Sequence, residues 1–315
     1  MKKASLDQTS LMIRVAIMKY KLGYTQREIA ERMDIAPMTV SRLLDRARKS
    51  EIVQINVRTP IENNWEQEKE LIDKYPLQKA VVFRNKYGED PKELLSRAAA
   101  YYLDFFINQG DIVGISAGRT MAGVIPHMQL SSIRQTKNLT VVQIEGGFTT
   151  SERFSPVSIL QEFINHLGVK GYFYHLPIYA QSLEAHEALS AHAVIDPIQE
   201  MWRKCSIILA AVGVSGEESI YRIANMLTKS EMIGLLRSGA VGSIFGRWYD
   251  ADGHFLNSEI NDRVFGIPIE VVKRTPRRIL ISAGVDKTQA IRGAMYTELC
   301  DILITEEITS SKLLG

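Results

Sequence analysis

Cysteine is nearly absent from this chain: Cys205 and Cys300 are the only two in 315 residues. They lie far apart, in apolar surroundings, with no CxxC pair and no zinc-type spacing. That pattern predicts reduced, buried thiols in a cytosolic protein, not a disulfide scaffold or a zinc module. Long hydrophobic runs are missing too, and none approaches the roughly 20 apolar residues of a membrane span. The start, MKKASLDQTS, is charged, but Arg14 and Lys19 interrupt the apolar residues after it, so it does not read as a secretory signal. Secretion and membrane insertion are therefore not expected. Neither GxGxxG nor GxxxxGK[ST] occurs, which removes the dinucleotide and P-loop fingerprints. Histidine stops at His254.

Charge is balanced overall, with 38 Lys+Arg against 36 Asp+Glu, but it is not evenly spread. Residues 1–59 hold 12 basic and 6 acidic side chains, a net of +6; the remainder holds 26 and 30, a net of −4. The basic segment contains YTQREIAERMDIAPMTVSRLLDRARKSEI (24–52). Thr25 and Glu28 form a capping box for one helix, and Ile29, Ala30 and Met33 give it an apolar stripe. Asp34-Ile35-Ala36 is the length of a tight turn. Pro37 suits the first position of a second helix, whose buried stripe is Val40, Leu43, Leu44 and Ala47. Such a pair places one helix in a DNA major groove. Thr25 and Gln26 at the first helix, and Met38, Thr39, Ser41, Arg42 and Arg46 on the second, are the candidate DNA contacts. Thr39 and Ser41 suit base edges or phosphates; Arg42 and Arg46 suit phosphates or guanine. A protein-contact helical hairpin is the alternative. A helix over 8–21 should pack across the pair, and EIVQINV (51–57) should begin a strand or wing. Thr59-Pro60 marks a boundary. The expected domains are thus 1–59, a small all-α helix-turn-helix, and 60–315.

The second part alternates strand and helix. A polar helix over 61–75 leads in. Strands are predicted over 78–83, 111–115, 139–144, 172–175, 206–214, 244–248, 268–272, 278–283 and 302–305. Helices are predicted over 91–106, 120–128, 156–167, 183–191, 219–236 and 286–296. Strands such as Ile207 to Val212 are almost continuously apolar, which predicts an α/β domain with a mostly parallel sheet covered on both faces. Ligands in such sheets bind beyond the carboxyl ends of the strands.

Several glycine turns fall at those ends. Gly114-Ile115-Ser116-Ala117-Gly118-Arg119-Thr120 joins a strand to a helix. Backbone N–H groups and the Ser116 and Thr120 hydroxyls can donate to an anion there, with Arg119 adding a cation. The same GxSxG pentapeptide also reads as a nucleophile elbow, or as a tight structural turn. Gly146-Gly147-Phe148-Thr149-Thr150, Gly213 to Gly216, Gly239 to Gly242 and Asp250 to Gly253 are further turns. Lys287 begins a helix, where a cation is unfavourable unless an anion shares the site. It is a phosphate candidate, or else a solvated lysine. Asp250 suits sugar hydroxyls or a turn cap; an EF-hand loop is not present around it.

In order and spacing, YTQREIAERMDIAPMTVSRLLDRARKSEIVQI, GDIVGISAGRT, GAVGSIFGRWYDADG, NDRVFGI and the tail from Ala283 to Leu314 resemble the SorC family of bacterial sugar-responsive transcription regulators. The resemblance covers almost the whole chain. It implies a winged-helix-like domain joined to an α/β domain like those of NagB, RpiA and CoA transferases. It further implies a cytoplasmic, bacterial tetramer or dimer of dimers that binds operator DNA and a phosphorylated sugar or polyol, without a resident cofactor, metal or catalytic residue. Ser116, Gly118, Arg119, Thr120, Gly146, Gly147, Asp250 and Lys287 would line the effector site, with Lys287 toward phosphate and Arg263 a weaker candidate. Two departures stand out. Ala117 replaces a bulky, Trp-like residue and would enlarge the pocket; Glu306 stands where the family often has aspartate. A sugar-phosphate isomerase or deaminase, or a non-DNA interaction module, are the alternative functions.

Overall fold

The charge break near residue 60 coincides with a break in packing: the chain forms two compact units, Met1–Pro60 and Ile61–Gly315. The computed structural model describes residues 2–53, 61–85, 88–129, 138–148 and 154–315, with side chains from residue 8.

In the first unit, α1 (Lys2–Ala16) continues through a π turn at Ile17–Lys21, followed by α2 (Gln26–Met33) and α3 (Pro37–Lys49). Thr25 caps α2. Its hydroxyl accepts the Glu28 N–H, and the Glu28 carboxylate accepts the Thr25 N–H at 2.8 Å. Asp34 ends α2 with a left-handed φ of 50°, and extended Ala36 delivers Pro37 to the first position of α3. Val15, Ile29, Val40 and Ala47 are fully buried, so all three helices share one core. Each buried aliphatic of Val or Ile size stabilises that core by about 1.5–3 kcal/mol. What this packing leaves outside on α3 is Met38, 73% exposed, with Thr39, Arg42 and Arg46 also exposed and Ser41 partly so. Thr25 and Gln26 are exposed as well. Glu51–Val53 follow α3 as a turn. The rest of the expected wing lies outside the described residues.

The second unit begins with α4 (Trp65–Lys74), β1 (Lys79–Phe83), α5 (Pro91–Phe106), β2 (Ile112–Ile115), α6 (Arg119–Val124) and β3 (Thr140–Gln143). Then come α7 (Pro156–Leu167), β4 (Lys170–Tyr172), α8 (Leu183–Ser190), α9 (Asp196–Arg203), β5 (Ile207–Ala210) and β6 (Gly213–Val214). Next are α10 (Ile220–Ile223), α11 (Lys229–Arg237), β7 (Gly242–Ile244), β8 (Arg247–Tyr249), α12 (Glu259–Asp262) and α13 (Ile269–Arg274). The last elements are β9 (Arg277–Ile281), α14 (Thr288–Tyr296), β10 (Ile302–Glu306) and α15 (Glu307–Leu314).

Seven strands pair in the order β1-β10-β9-β5-β2-β3-β4, every pair parallel. Alternate residues feed two cores. Ile208 and Ala210 pack with Trp202 of α9 and Ile291 of α14; Ile207 and Leu209 pack with Leu94 and Ala98 of α5 and Phe163 of α7. That is why these strands read as unbroken apolar runs. Cys205 and Cys300 are both free thiols, buried in the first of these cores. From β2 the chain winds outward through β3 and β4; from β5 it winds the other way through β9 and β10. The crevice between β2 and β5 is the topological switch point.

Four strand expectations need correction. Residues 172–175 lie mostly beyond their strand, because β4 covers Lys170–Tyr172 and ends there. Residues 244–248 are not one strand: the two-residue hairpin turn Phe245-Gly246, at φ 52° and 78°, separates antiparallel β7, which ends at Ile244, from β8, which starts at Arg247. Residues 206–214 split, because β5 ends at Ala210 and β6 pairs with β7 in a separate three-stranded sheet. Residues 268–272 are helix α13, not strand. Glu270 in its first turn and Lys273 and Arg274 in its last complement the helix dipole, and Val272 anchors it in the core, overriding the strand preference of Ile and Val.

Candidate effector site

The carboxyl ends of β2 and β5 open into a cavity of about 650 Å³, its mouth included. Ala117, Gly118, Arg119 and Thr120 line it from the β2 side, and Ala211, Val212 and Gly213 from the β5 side. Phe148, Ile178, Tyr221 and Phe245 form apolar and aromatic walls, and Glu145 and Lys287 complete the lining. Concave sites that are mostly apolar with a few convergent polar groups suit small molecules.

The β2–α6 turn is built for its place. Gly118 has φ 120°, a backbone conformation that L side chains rarely adopt, and a Cβ there would meet no neighbour. The first-turn N–H groups of α6 have no intrahelical partner and start at the cavity. Ser116 has a different role. It is buried, and its hydroxyl accepts the Ala211 N–H at 3.3 Å, stitching the end of β2 to that of β5 beneath the cavity.

Three cations converge on this turn. Arg119, Lys287 and Lys92 line a second cavity that adjoins the first through Arg119, Thr120, Val214 and Lys287. Burial pushes the Lys287 ammonium below its ordinary range; Asp286 opposes the shift, and the charges of Arg119 and Lys92 add to it. A cation lowered by desolvation and by like charges gains most from an anion. Glu306, the departure from the family's aspartate, also lines this second cavity. Its carboxylate accepts from the Asn85 amide at 2.5 Å and the Thr309 hydroxyl at 2.8 Å.

Glu145 stands at the carboxyl end of β3, only 3% exposed. Its carboxylate accepts the Ala117 N–H. Burial raises it to about 7, opposed by that hydrogen bond and by the charge of Arg247 on β8. Arg247 is itself lowered to about 10 by burial and donates to the Phe245 carbonyl at 3.3 Å. Tyr179 donates to the Gly246 carbonyl at 2.8 Å and accepts from the Trp248 indole at 3.1 Å. Burial raises the Tyr179 and Tyr221 phenols, so both stay neutral.

The structure thus brings Gly118, Arg119, Thr120 and Lys287 into one cavity. The other sequence candidates fall elsewhere. The Gly146 N–H donates to the Phe265 carbonyl, and a Cβ there would come within 2.2 Å of the Pro177 carbonyl, so this glycine serves packing. The Gly147 N–H donates to the Leu176 carbonyl, and the residue borders a neighbouring open pocket. Thr149 and Thr150 lie outside the described residues. Asp250 caps its own turn, accepting the Asp252 and His254 N–H groups at 3.0 and 2.9 Å, and is not among the cavity's lining residues. Arg263 is held by Glu231 at 3.1 Å and by the Ala180 and Gln181 carbonyls, also away from that lining.

The sugar-binding domain family, Sugar-bind, matches residues 59–315. The deoxyribonucleoside regulator of Bacillus subtilis is 31% identical over 313 residues, spanning 98% of both chains. The chain belongs to the SorC family of sugar-binding transcription regulators. The erythritol catabolism regulatory protein of Brucella abortus is 24% identical over 97% of this SorC-family chain and 96% of its own. In fold, the full-length sorbitol operon regulator of Klebsiella pneumoniae superposes on 98% of this chain and 100% of its own, with a TM-score of 0.72 at 22% identity. As a family member the chain is a transcription regulator, and its second unit carries the sugar-binding domain. Among the described residues, no helix is long and apolar enough to cross a membrane.

Glu145, Lys92, Tyr221 and Phe245 were not anticipated from sequence. Lys92 had a legible signal, since it directly follows Pro91 in a helix's first turn, the position that singled out Lys287. Glu145 had a weaker one, a lone acid closing the apolar run LTVVQI just before a glycine pair.

Proposed function

We propose that this protein regulates a carbohydrate or polyol catabolic operon, binding operator DNA through α2 and α3 and a phosphorylated sugar or polyol in the switch-point cavity. The observation that carries the effector half is the convergence of Arg119, Lys287 and Lys92 on the glycine turn at the start of α6. The phosphate would sit there, on first-turn N–H groups and cations. The names of the relatives, concerned with deoxyribonucleosides, erythritol and sorbitol, agree with this effector class.

The DNA half rests on the exposed outer face of α3 and on the net +6 of residues 1–59. Met38, Thr39, Ser41, Arg42 and Arg46 would meet the groove, with Thr25 and Gln26 near the backbone. A winged-helix arrangement, a NagB/RpiA/CoA-transferase-like effector domain, a cytoplasmic location and assembly as a tetramer or dimer of dimers belong to the same proposal. Two-fold symmetry would match paired half-sites and raise overall affinity. The effector must favour one arrangement of the protein over another in order to change operator affinity.

Fluorescence anisotropy on duplex DNA from the gene's own upstream region, titrated with a panel of sugar and polyol phosphates, tests the reading. Salt-sensitive, sequence-selective binding that one phosphate ester alters supports it. Affinity equal to that for random DNA under every ligand refutes it. One observation favours a second reading, sugar-phosphate isomerase or deaminase chemistry: a carboxyl raised to about 7 inside a cavity resembles a general acid–base group. Turnover of any member of the same panel would decide for that reading.

A further inference from the structure

Resting on the phosphate reading above, we propose that Glu145 determines which effector the cavity accepts: its carboxylate, on the β3 side of the glycine turn, receives a hydroxyl of the effector. A specific asymmetry of the cavity leads there. Its cationic groups, Arg119 and Lys287, are shared with the adjoining cavity that also holds Lys92, so they mark one border. Glu145 lines the first cavity alone. The two groups also respond to different charges. The charge nearest in effect to Glu145 is Arg247, whereas Lys287 responds to Asp286, Arg119 and Lys92. An occupant of the first cavity therefore meets the cations at the border shared with the second and, on the β3 side, a carboxylate that the second cavity does not present.

The hydrogen bonding of Glu145 is incomplete. A carboxylate offers about four acceptor sites. Among the described residues, one donor reaches it, the Ala117 N–H. Arg247 moderates its charge from a distance, and its guanidinium donates to the Phe245 carbonyl. Tyr221 shares the cavity lining with Glu145, and the Tyr179 hydroxyl is already given to the Gly246 carbonyl. A buried acceptor with spare capacity is costly until a donor arrives.

The apolar walls, Val212, Ile178, Phe148 and Phe245, suit the C–H faces of a carbon chain or ring. With Arg247 already close to Glu145 in electrostatic effect, the missing partner is a neutral donor, a hydroxyl, and not a second cation. A site built to pair a hydroxyl strongly rejects an analogue that lacks it, because the buried group is left unpaired. In this position Glu145 would set the length and hydroxylation of the effector, while Arg119 and Lys287 would set only that it carries a phosphate.

The test uses full-length protein and isothermal titration at about pH 8, with inorganic phosphate, glycerol 3-phosphate, erythritol 4-phosphate and glucitol 6-phosphate as probes. The readout is the preference of each ester over inorganic phosphate. Wild type should prefer at least one ester tenfold or more. Glu145→Gln keeps an acceptor for the Ala117 N–H and exchanges a charged acceptor for a neutral one. It should lower the preference about tenfold, the usual gap between charged and neutral hydrogen bonds. Glu145→Ala should abolish it. Lys287→Ala should weaken all four probes together and leave the preference in place, which separates the two roles. The inference is overturned if wild type shows no preference, or if the preference survives in both Glu145 variants. It is also overturned if glucosamine 6-phosphate binds more than tenfold tighter than glucose 6-phosphate, since the donor would then be an ammonium. No saturable binding of any phosphate compound would overturn the phosphate reading itself, and this inference with it.

Discussion

The amide of Ala117 donates its hydrogen to the carboxylate of Glu145, joining the turn after β2 to the end of β3 inside the cavity. The pair sets both the volume and the polarity of the pocket. Ala117→Trp should therefore fill the space beside Glu145. The expected result is at least a tenfold loss of affinity for polyol phosphates, with inorganic phosphate retained, read by isothermal titration. Any stability change should stay within the roughly 1–3 kcal/mol typical of overpacking, read from the melting temperature.

Glu145 also carries a pH signature. Its carboxyl is raised from 4.5 to about 7, so the folded protein holds this proton more tightly than the unfolded chain. The associated stability is complete below about pH 4.5 and is lost as pH rises through about 7. The shift corresponds to at most about 3 kcal/mol. Without ligand, the melting temperature of wild type should fall relative to Glu145→Gln between about pH 5 and pH 8. A constant difference between the two across that window would contradict the assignment.

Lys287→Ala removes the half-buried member of the cation group. Charged hydrogen bonds are worth about 1.5–3 kcal/mol, so affinity for phosphate esters should drop roughly tenfold to a hundredfold. Operator affinity without effector should be unchanged. An unaltered ligand titration would take Lys287 out of the site.

Arg42→Ala should weaken operator binding by about 1–3 kcal/mol if the side chain reads a base. If it meets a phosphate instead, the salt slope of binding should fall by about 1. Effector affinity should be untouched in either case. Arg42 is exposed on α3, so a loss of binding could not be blamed on misfolding, and a normal gel-shift affinity would remove it from the interface.

Local signals in the sequence suffice where local physics decides the outcome. α5 and α7 run over 91–106 and 156–167 as the sequence predicts, with Pro91 and Pro156 opening them and Gly168 ending α7 in the left-handed conformation. Elsewhere tertiary packing overrides local preference. Ile269 to Val272 look like a strand, yet the buried Val272 and dipole-matched charges hold them in α13. The site divides along the same line. Gly118 to Thr120 and Lys287 were legible because their types are unusual at a strand–helix junction. Gly146 was legible as a special position, but its purpose was not: only the fold shows that the Pro177 backbone presses against it. Asp250 and Arg263 carry the right charges, but whether those charges are already spent on a turn or an ion pair depends on neighbours distant in sequence.

The two thiols have a practical consequence. Burial pushes both Cys205 and Cys300 up to about 12, so each remains protonated and shielded at neutral pH. Maleimide reagents should find no native target in the folded protein. A cysteine introduced on the outer face of α3, as in Met38→Cys, would then be the single reactive position. A fluorophore attached there could follow this helix approaching and leaving DNA in real time, with no native cysteine having to be removed first.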